Sequence, residues 1–338
     1  MIYNAIANPI IFENHNFVDF LPSSTILCVT RRSYDLSVSK WPRLKNFKNI
    51  IIRESGYPTE QEIEYLCNRY CDLFSSATEV ILGIGGGSTL DAAKAFSTRL
   101  IQKSRERTDL RLILVPTNLG SGAEITPYAT LWDFDSSRKT SLELYRGIKQ
   151  SLFLEDSFLT SLNLEDLNIG ILDAICHAYD SYTSRNTNPF FRELARSCFN
   201  ELVKDLGLLT KFQLRTGEQI CKIRARTLIA GLCIAQTKTS LSHGLSYGLT
   251  LVDKIPHGYA VALVLNSWLK YNSYEDSATD LLTDQFQSYM DSSSYISNLR
   301  TGLSREMLQY RKGVDSKRLK NSIFVLEEND IQNILSGV

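Results

Sequence analysis

The chain has 338 residues, 43% of them apolar and 22% charged, and a formal net charge of zero at pH 7. That length can bury a sizeable core and suggests two domains of ordinary globular composition. The balanced charge gives no support to a nucleic-acid or anionic-membrane partner.

Met1 to Phe12 lacks the basic stretch and apolar run of a signal peptide. No segment reaches the roughly 20 apolar residues of a membrane span, so a cytoplasmic location is expected. Short apolar runs at residues 25–30, 49–53, 79–83 and 111–116 read as buried strands, with helical patterns such as 59–74 between them. Strand and helix in alternation predict a parallel sheet covered on both faces. Seven cysteines are scattered, and Cys67 and Cys71 form the only close pair. Without a second pair they read as reduced thiols and not as a zinc site. His15, in a polar run, reads as a surface residue.

Gly83-Ile-Gly85-Gly86-Gly87-Ser88 follows the third strand and is expected to open a helix over 89–100. Successive glycines let backbone N–H groups approach a phosphate, and the helix dipole favours the anion. Ser88 at the sixth position departs from the dinucleotide fingerprint, and no Gly-Lys-Ser/Thr makes it a Walker loop. A tight strand-to-helix connection is the other reading, although Asp91 and Lys94 follow Ser88 at regular three-residue steps.

Beyond about Asp166 the pattern changes to long helical stretches, including 189–206 and 219–240. The expected division is an α/β domain over 1–165 and an all-helical domain over 166–338. The serine- and tyrosine-rich stretch 288–297 reads as a mobile loop. In the second half, Asp173 and His177 lie four residues apart, on one face of a helix, and His243 and His257 follow. These are three of only four histidines. A carboxylate with three imidazoles suits Fe(II) or Zn(II), with scattered structural histidines as the alternative.

Gly85-Gly-Gly-Ser88-x-x-Asp91-x-Ala-Lys94 resembles the signature of the iron-containing (group III) alcohol dehydrogenases. So does the second glycine-rich stretch, from Pro116-Thr-Asn-Leu-Gly120 through Gly122 and Glu124 to Pro127. Asp173, His177, His243 and Pro256-His257-Gly258 fall where these enzymes carry four metal ligands. The resemblance runs from about Ile26 to Asn272. It implies a nucleotide-binding α/β domain and a helical metal-binding domain, the fold shared with dehydroquinate synthase-like proteins. It also implies a metal-dependent, NAD(P)-linked reduction of an aldehyde, with Fe(II) expected and Zn(II) the alternative. Gly85, Gly86, Gly87, Ser88 and Asp91 would hold the cofactor, with Thr117, Asn118, Ser121 and Lys139 on its nicotinamide–ribose side. Many relatives place a relay histidine where this chain has Tyr247, so Tyr247 and Lys139 are the expected catalytic side chains. Asp180 stands where relatives often have glutamate, and Gly170 lies one position earlier than the usual glycine.

Arg31-Arg32-Ser33 follows the first clear strand, where NAD-using relatives often have an aspartate. Guanidinium groups there favour NADPH over NADH, the alternative being two solvated arginines at a strand end. The strings around Thr130–Leu142 and Gly231–Thr239 resemble a branch of the family, the reductases that interconvert phosphonoacetaldehyde and 2-hydroxyethylphosphonate. Lys238, on the helix expected to run into His243, and Arg185 would then bind the anionic group of a small-molecule substrate, the alternative being solvated surface cations. A homodimer is a further expectation. A general alcohol dehydrogenase for uncharged or sugar-derived alcohols is the second reading, and a dehydroquinate synthase-like cyclase the third.

Overall fold

A computed structural model describes residues 11–12, 17–54, 56–76, 79–104, 110–136, 138–212, 217–272, 281–303 and 307–338. Most of the Met1–Phe12 stretch, and His15, lie outside them. The chain divides into two compact units, one of residues 1–119 and 123–162, the other of residues 120–122 and 163–338.

The first unit runs β1 (Ile11–Phe12), β2 (Ile26–Thr30), α1 (Arg31–Lys40), β3 (Asn49–Arg53), α2 (Glu60–Ser76), β4 (Val80–Gly85), α3 (Gly87–Lys103), β5 (Leu110–Pro116), β6 (Tyr128–Asp133), β7 (Arg138–Glu143), β8 (Ile148–Phe153) and α4 (Asp156–Thr160). Six strands pair in parallel in the order β1-β8-β5-β4-β2-β3, and β6 and β7 form a separate antiparallel pair. The apolar strands are explained by burial on both faces. Ile26 and Cys28 enter one core cluster with Ile63 and Cys67 of α2 and Phe96 of α3. Leu27 and Val29, pointing the other way, enter a second cluster with Trp41, Phe153 and Phe158.

The strand before the glycines is longer than the sequence suggests, because Gly83 and Gly85 lie inside β4 and the helix already starts at Gly87. A Cβ on Gly83 would come within 2.8 Å of the Ala93 Cβ, and one on Gly85 within 2.6 Å of Thr89. Only bare backbone lets α3 press this close to its own strand.

The second unit contains α5 (Leu164–Tyr182), α6 (Pro189–Phe212), α7 (Gly217–Thr237), α8 (Leu241–Val252), α9 (His257–Tyr271), α10 (Thr283–Ser292), α11 (Ser294–Thr301), α12 (Met307–Lys312), α13 (Ser316–Leu319) and α14 (Glu328–Ser336). Helix α5 is central, buried from Gly170 to Ser181 and packed on α6, α7 and α9. Asn163 caps it, its side chain accepting from the Asp166 N–H at 2.7 Å, with Glu165 and Asp166 favourably placed in the first turn. The loop expected over 288–297 is instead the end of α10 and the start of α11. Phe286 and Met290 bury one turn apart, and Ser293 caps α11 by accepting from the Ile296 N–H. Serine there starts a helix.

Candidate metal centre

Three second-unit helices bring the candidate ligands together. Among the described residues, one ligand atom from each of Asp173, His243 and His257 lies within 4.8 Å of the others. His177 stands beside them: its Nε2 is 3.6 Å from Asp173 Oδ1, and its ring stacks on that of His243 at 4.6 Å between centroids. Asp173, His177 and His243 are buried, and His257 is half-buried.

Glycines make the convergence possible. His257 is the first residue of α9, and a Cβ on the next residue, Gly258, would lie 2.1 Å from the Ile169 carbonyl oxygen of α5. Gly120, at φ +100°, sits so close to α5 that a Cβ would come within 1.9 Å of the Gly170 carbonyl oxygen. Its own carbonyl accepts from His177 Nδ1 at 3.1 Å, which leaves Nε2 as the ring's electron-pair donor. This explains why residues 120–122 pack with the helices.

The electrostatics suit a cation. Burial alone would raise the Asp173 pKa, but the imidazoles of His177, His243 and His257 outweigh it and hold this carboxyl well below the usual range. Burial alone would lower the His243 pKa, and the carboxylates of Asp173 and Asp180 raise it instead. The donor set of one carboxylate and three imidazole nitrogens therefore fits Fe(II) or Zn(II).

Tyr247 lies one turn beyond His243 on α8, its ring 5.8 Å from that of His257. Burial pushes its phenol far above the ordinary value, so its Oη keeps its proton at neutral pH. As a base it is disfavoured.

The expected anion-binding residues differ from the sequence reading. Helix α7 stops at Thr237, so Lys238 is on no helix: it is exposed, at φ +63°, in the turn before α8. The break has a cause. The single Thr237 hydroxyl proton lies within reach of the Cys233 and Lys238 carbonyls, and Asp180 draws in the N–H groups of Ser240 and Ser242. Thr237 is fully buried. Arg185 lies three residues past the end of α5, its Nε donating to the Ser322 carbonyl at 2.6 Å. Arg318, which the sequence reading missed, donates to Thr239 Oγ1 and stands 5.7 Å over the Tyr247 ring.

In the first unit, Gly86 is the N-cap of α3 without a side-chain cap bond, and Gly86, Gly87 and Ser88 are half-buried. The Thr117 N–H donates to the Gly85 carbonyl at 2.9 Å and the Asn118 Cβ is 3.8 Å from the Cβ position of Gly86, so both glycine-rich stretches meet there. Ser121 falls in the helical unit. Asp91 accepts from the Thr130 N–H at 3.0 Å and pairs with Lys94 at 2.9 Å, while Lys94 is fully buried against the Thr126 and Tyr128 carbonyls. The regular spacing after Ser88 is thus a brace between α3 and β6. Lys139, on β7, stands 5.1 Å over the Trp132 ring. Arg31 and Arg32 are exposed in the first turn of α1, which Thr30 caps through the Ser33 N–H.

Residues 24–147 match the iron-containing alcohol dehydrogenase family profile, and residues 169–292 match the C-terminal profile of the Fe-containing alcohol dehydrogenase family. The chain is 31% identical over 212 residues to the phosphonoacetaldehyde reductase of Streptomyces viridochromogenes, covering 57% of this chain and 53% of that protein. It is 27% identical over 213 residues to aldehyde-alcohol dehydrogenase 2 of Entamoeba histolytica, covering 57% of this chain and 24% of the relative. The match thus spans about half of these curated relatives or less. The solved iron-containing alcohol dehydrogenase of Thermotoga maritima superposes with a TM-score of 0.75 at 25% identity, over 98% of both chains. No described helix is long and apolar enough to cross a membrane.

Proposed function

The chain belongs to the iron-containing alcohol dehydrogenase family, and from that premise we propose that it reduces a small anionic aldehyde with NADPH, phosphonoacetaldehyde to 2-hydroxyethylphosphonate being the leading candidate. The observation that carries the reductase reading is the convergence of Asp173, His243 and His257, with His177 beside them. A bound Fe(II), or Zn(II) in its place, would supply a Lewis acid for the aldehyde oxygen, and the nicotinamide a hydride for its carbon. The chain's own part is to present the ligand atoms in fixed tautomers and to keep a proton on Tyr247 Oη. The half-buried amides of Gly87 and Ser88 at the start of α3 suit a pyrophosphate. An aldehyde panel with both nicotinamide cofactors and several metals tests the proposal; steady NADPH oxidation with no aldehyde of the panel would overturn it.

Support for an anionic substrate comes from the cations around the α7–α8 turn, where Lys238 is exposed and Arg318 bonds its neighbour Thr239. Losing one charged hydrogen bond of about 2 kcal/mol predicts that Lys238→Ala lowers kcat/KM for phosphonoacetaldehyde roughly 30-fold. Propanal turnover should stay nearly unchanged. Equal loss on both aldehydes would leave a general alcohol dehydrogenase as the reading.

For the cofactor, the support is the exposed Arg31-Arg32 pair at the start of α1, where a helix N-terminus already favours an anion. Arg31→Asp should raise the KM for NADPH about tenfold or more, one lost charge-assisted contact of about 1.4 kcal/mol, with little change for NADH. A wild-type preference for NADH would sink this assignment.

A further inference from the structure

Asp180 lies on α5 one turn beyond His177, and it is fully buried. Its Oδ1 accepts from the Ser242 N–H at 3.0 Å and the Ser242 hydroxyl at 2.9 Å. Its Oδ2 accepts from the Ser240 N–H at 2.7 Å and from His243 Nδ1 at 2.9 Å. A carboxylate offers about four lone-pair positions, and with the His243 N–H at 3.4 Å from Oδ2 five donors converge on them. The group therefore has one orientation, and its donors all come from Ser240, Ser242 and His243, where α8 starts.

We infer that Asp180 is the positioning residue of the metal centre, fixing His243 as the Nδ1–H tautomer so that Nε2 alone faces Asp173 and His257. This rests on the metal-centre reading above and extends it to how the centre is held. The geometry supports a role beyond holding the turn. Asp180 Oδ2 lies behind the His243 ring, and on the opposite side Nε2 is 3.3 Å from Asp173 Oδ1. An acceptor behind a ligating imidazole sets its tautomer and increases its basicity toward the metal. Gly120 does the same for His177 with a neutral carbonyl. Asp180 does it with a charge, and the same contact ties the α7–α8 turn to α5. Loss of the charge should weaken the centre even when the turn survives.

The test compares wild type, Asp180→Asn and Ser242→Ala, reading Zn(II) and Co(II) affinity by chelator competition and the thermal midpoint of each metal-free protein. Asp180→Asn should weaken metal binding about 10- to 100-fold. Ser242→Ala removes a donor to Oδ1 and a longer, 3.4 Å contact with His243 Nδ1 but leaves the carboxylate behind the ring, so it should lower the thermal midpoint while leaving metal affinity within about threefold of wild type. The inference falls if Asp180→Asn binds metal as tightly as wild type, or if the two variants lose affinity equally. Should Asp180→Asn fail to fold, imidazole nitrogen NMR of the zinc-loaded wild type decides the matter. His243 protonated at Nδ1 and bound through Nε2 supports the assignment, and the opposite tautomer overturns it. A wild type that takes up no metal overturns the metal-centre reading itself, which separates the two failures.

Discussion

Replacing His257 with alanine is expected to lower aldehyde reduction by about 10³-fold or more and to strip most of the bound metal. Lewis-acid stabilisation contributes several kcal/mol, and each 1.36 kcal/mol is a factor of ten in rate. The variant keeps Asp173 and His243, but the third member of the convergent group is gone. The imidazole is half-buried at the first position of α9, so truncation should disturb the core little and the thermal midpoint of the metal-free protein should hold. Metal content by elemental mass spectrometry, with steady-state oxidation of the reduced nicotinamide cofactor, provides the check. Full metal occupancy in the variant would remove His257 from the centre.

Gly258→Ala should be nearly as damaging through a different route. Alanine is the better helix former by about 1 kcal/mol, so propensity alone predicts stabilisation. The contact decides the sign: the new methyl would lie 2.1 Å from the Ile169 carbonyl oxygen, a backbone atom that cannot swing aside. Helix α9 would have to move off α5 and carry His257 away from Asp173. A loss of about 3 kcal/mol in stability is expected, together with weakened metal binding. Gly207→Ala is the control, since nothing lies within 4 Å of its Cβ position in α6 and it should be neutral or stabilising. A Gly258→Ala protein as stable as that control would contradict the packing described here.

Four strands of the parallel sheet, β2 to β5, were legible because a sheet buried on both faces writes itself as continuous apolar runs, whereas β1, β8 and the more polar antiparallel pair β6–β7 were not read. The candidate ligands were legible because histidine is rare here and Asp173 and His177 share one helical face. Asp180 was not recognised as their support, although it continues that face three residues on, in the buried stretch of α5. A charged residue inside such a stretch is itself a signal. The Gly120 carbonyl left no trace in the sequence, since a backbone acceptor 57 residues from His177 is a tertiary fact. Lys238 was misplaced because the pattern of α7 was carried through Thr237-Lys-Thr-Ser240, a run whose hydroxyls compete with the helical backbone. Composition misled at 288–297, where Met290 and Ile296, with Phe286 just before, carried the helical information.

The three residues Gly120 to Gly122 also bear on how divisible this protein is. They are encoded between two strands of the sheet-bearing half yet belong physically to the helical one. A fragment starting at Asn163 would keep all four candidate ligand side chains and still lack the acceptor that orients His177. The boundary after Leu162 is therefore a seam in the sequence but not a clean cut through the architecture. Exchanging the helical half with that of a relative would transplant an incomplete pocket unless this short upstream strap travelled with it.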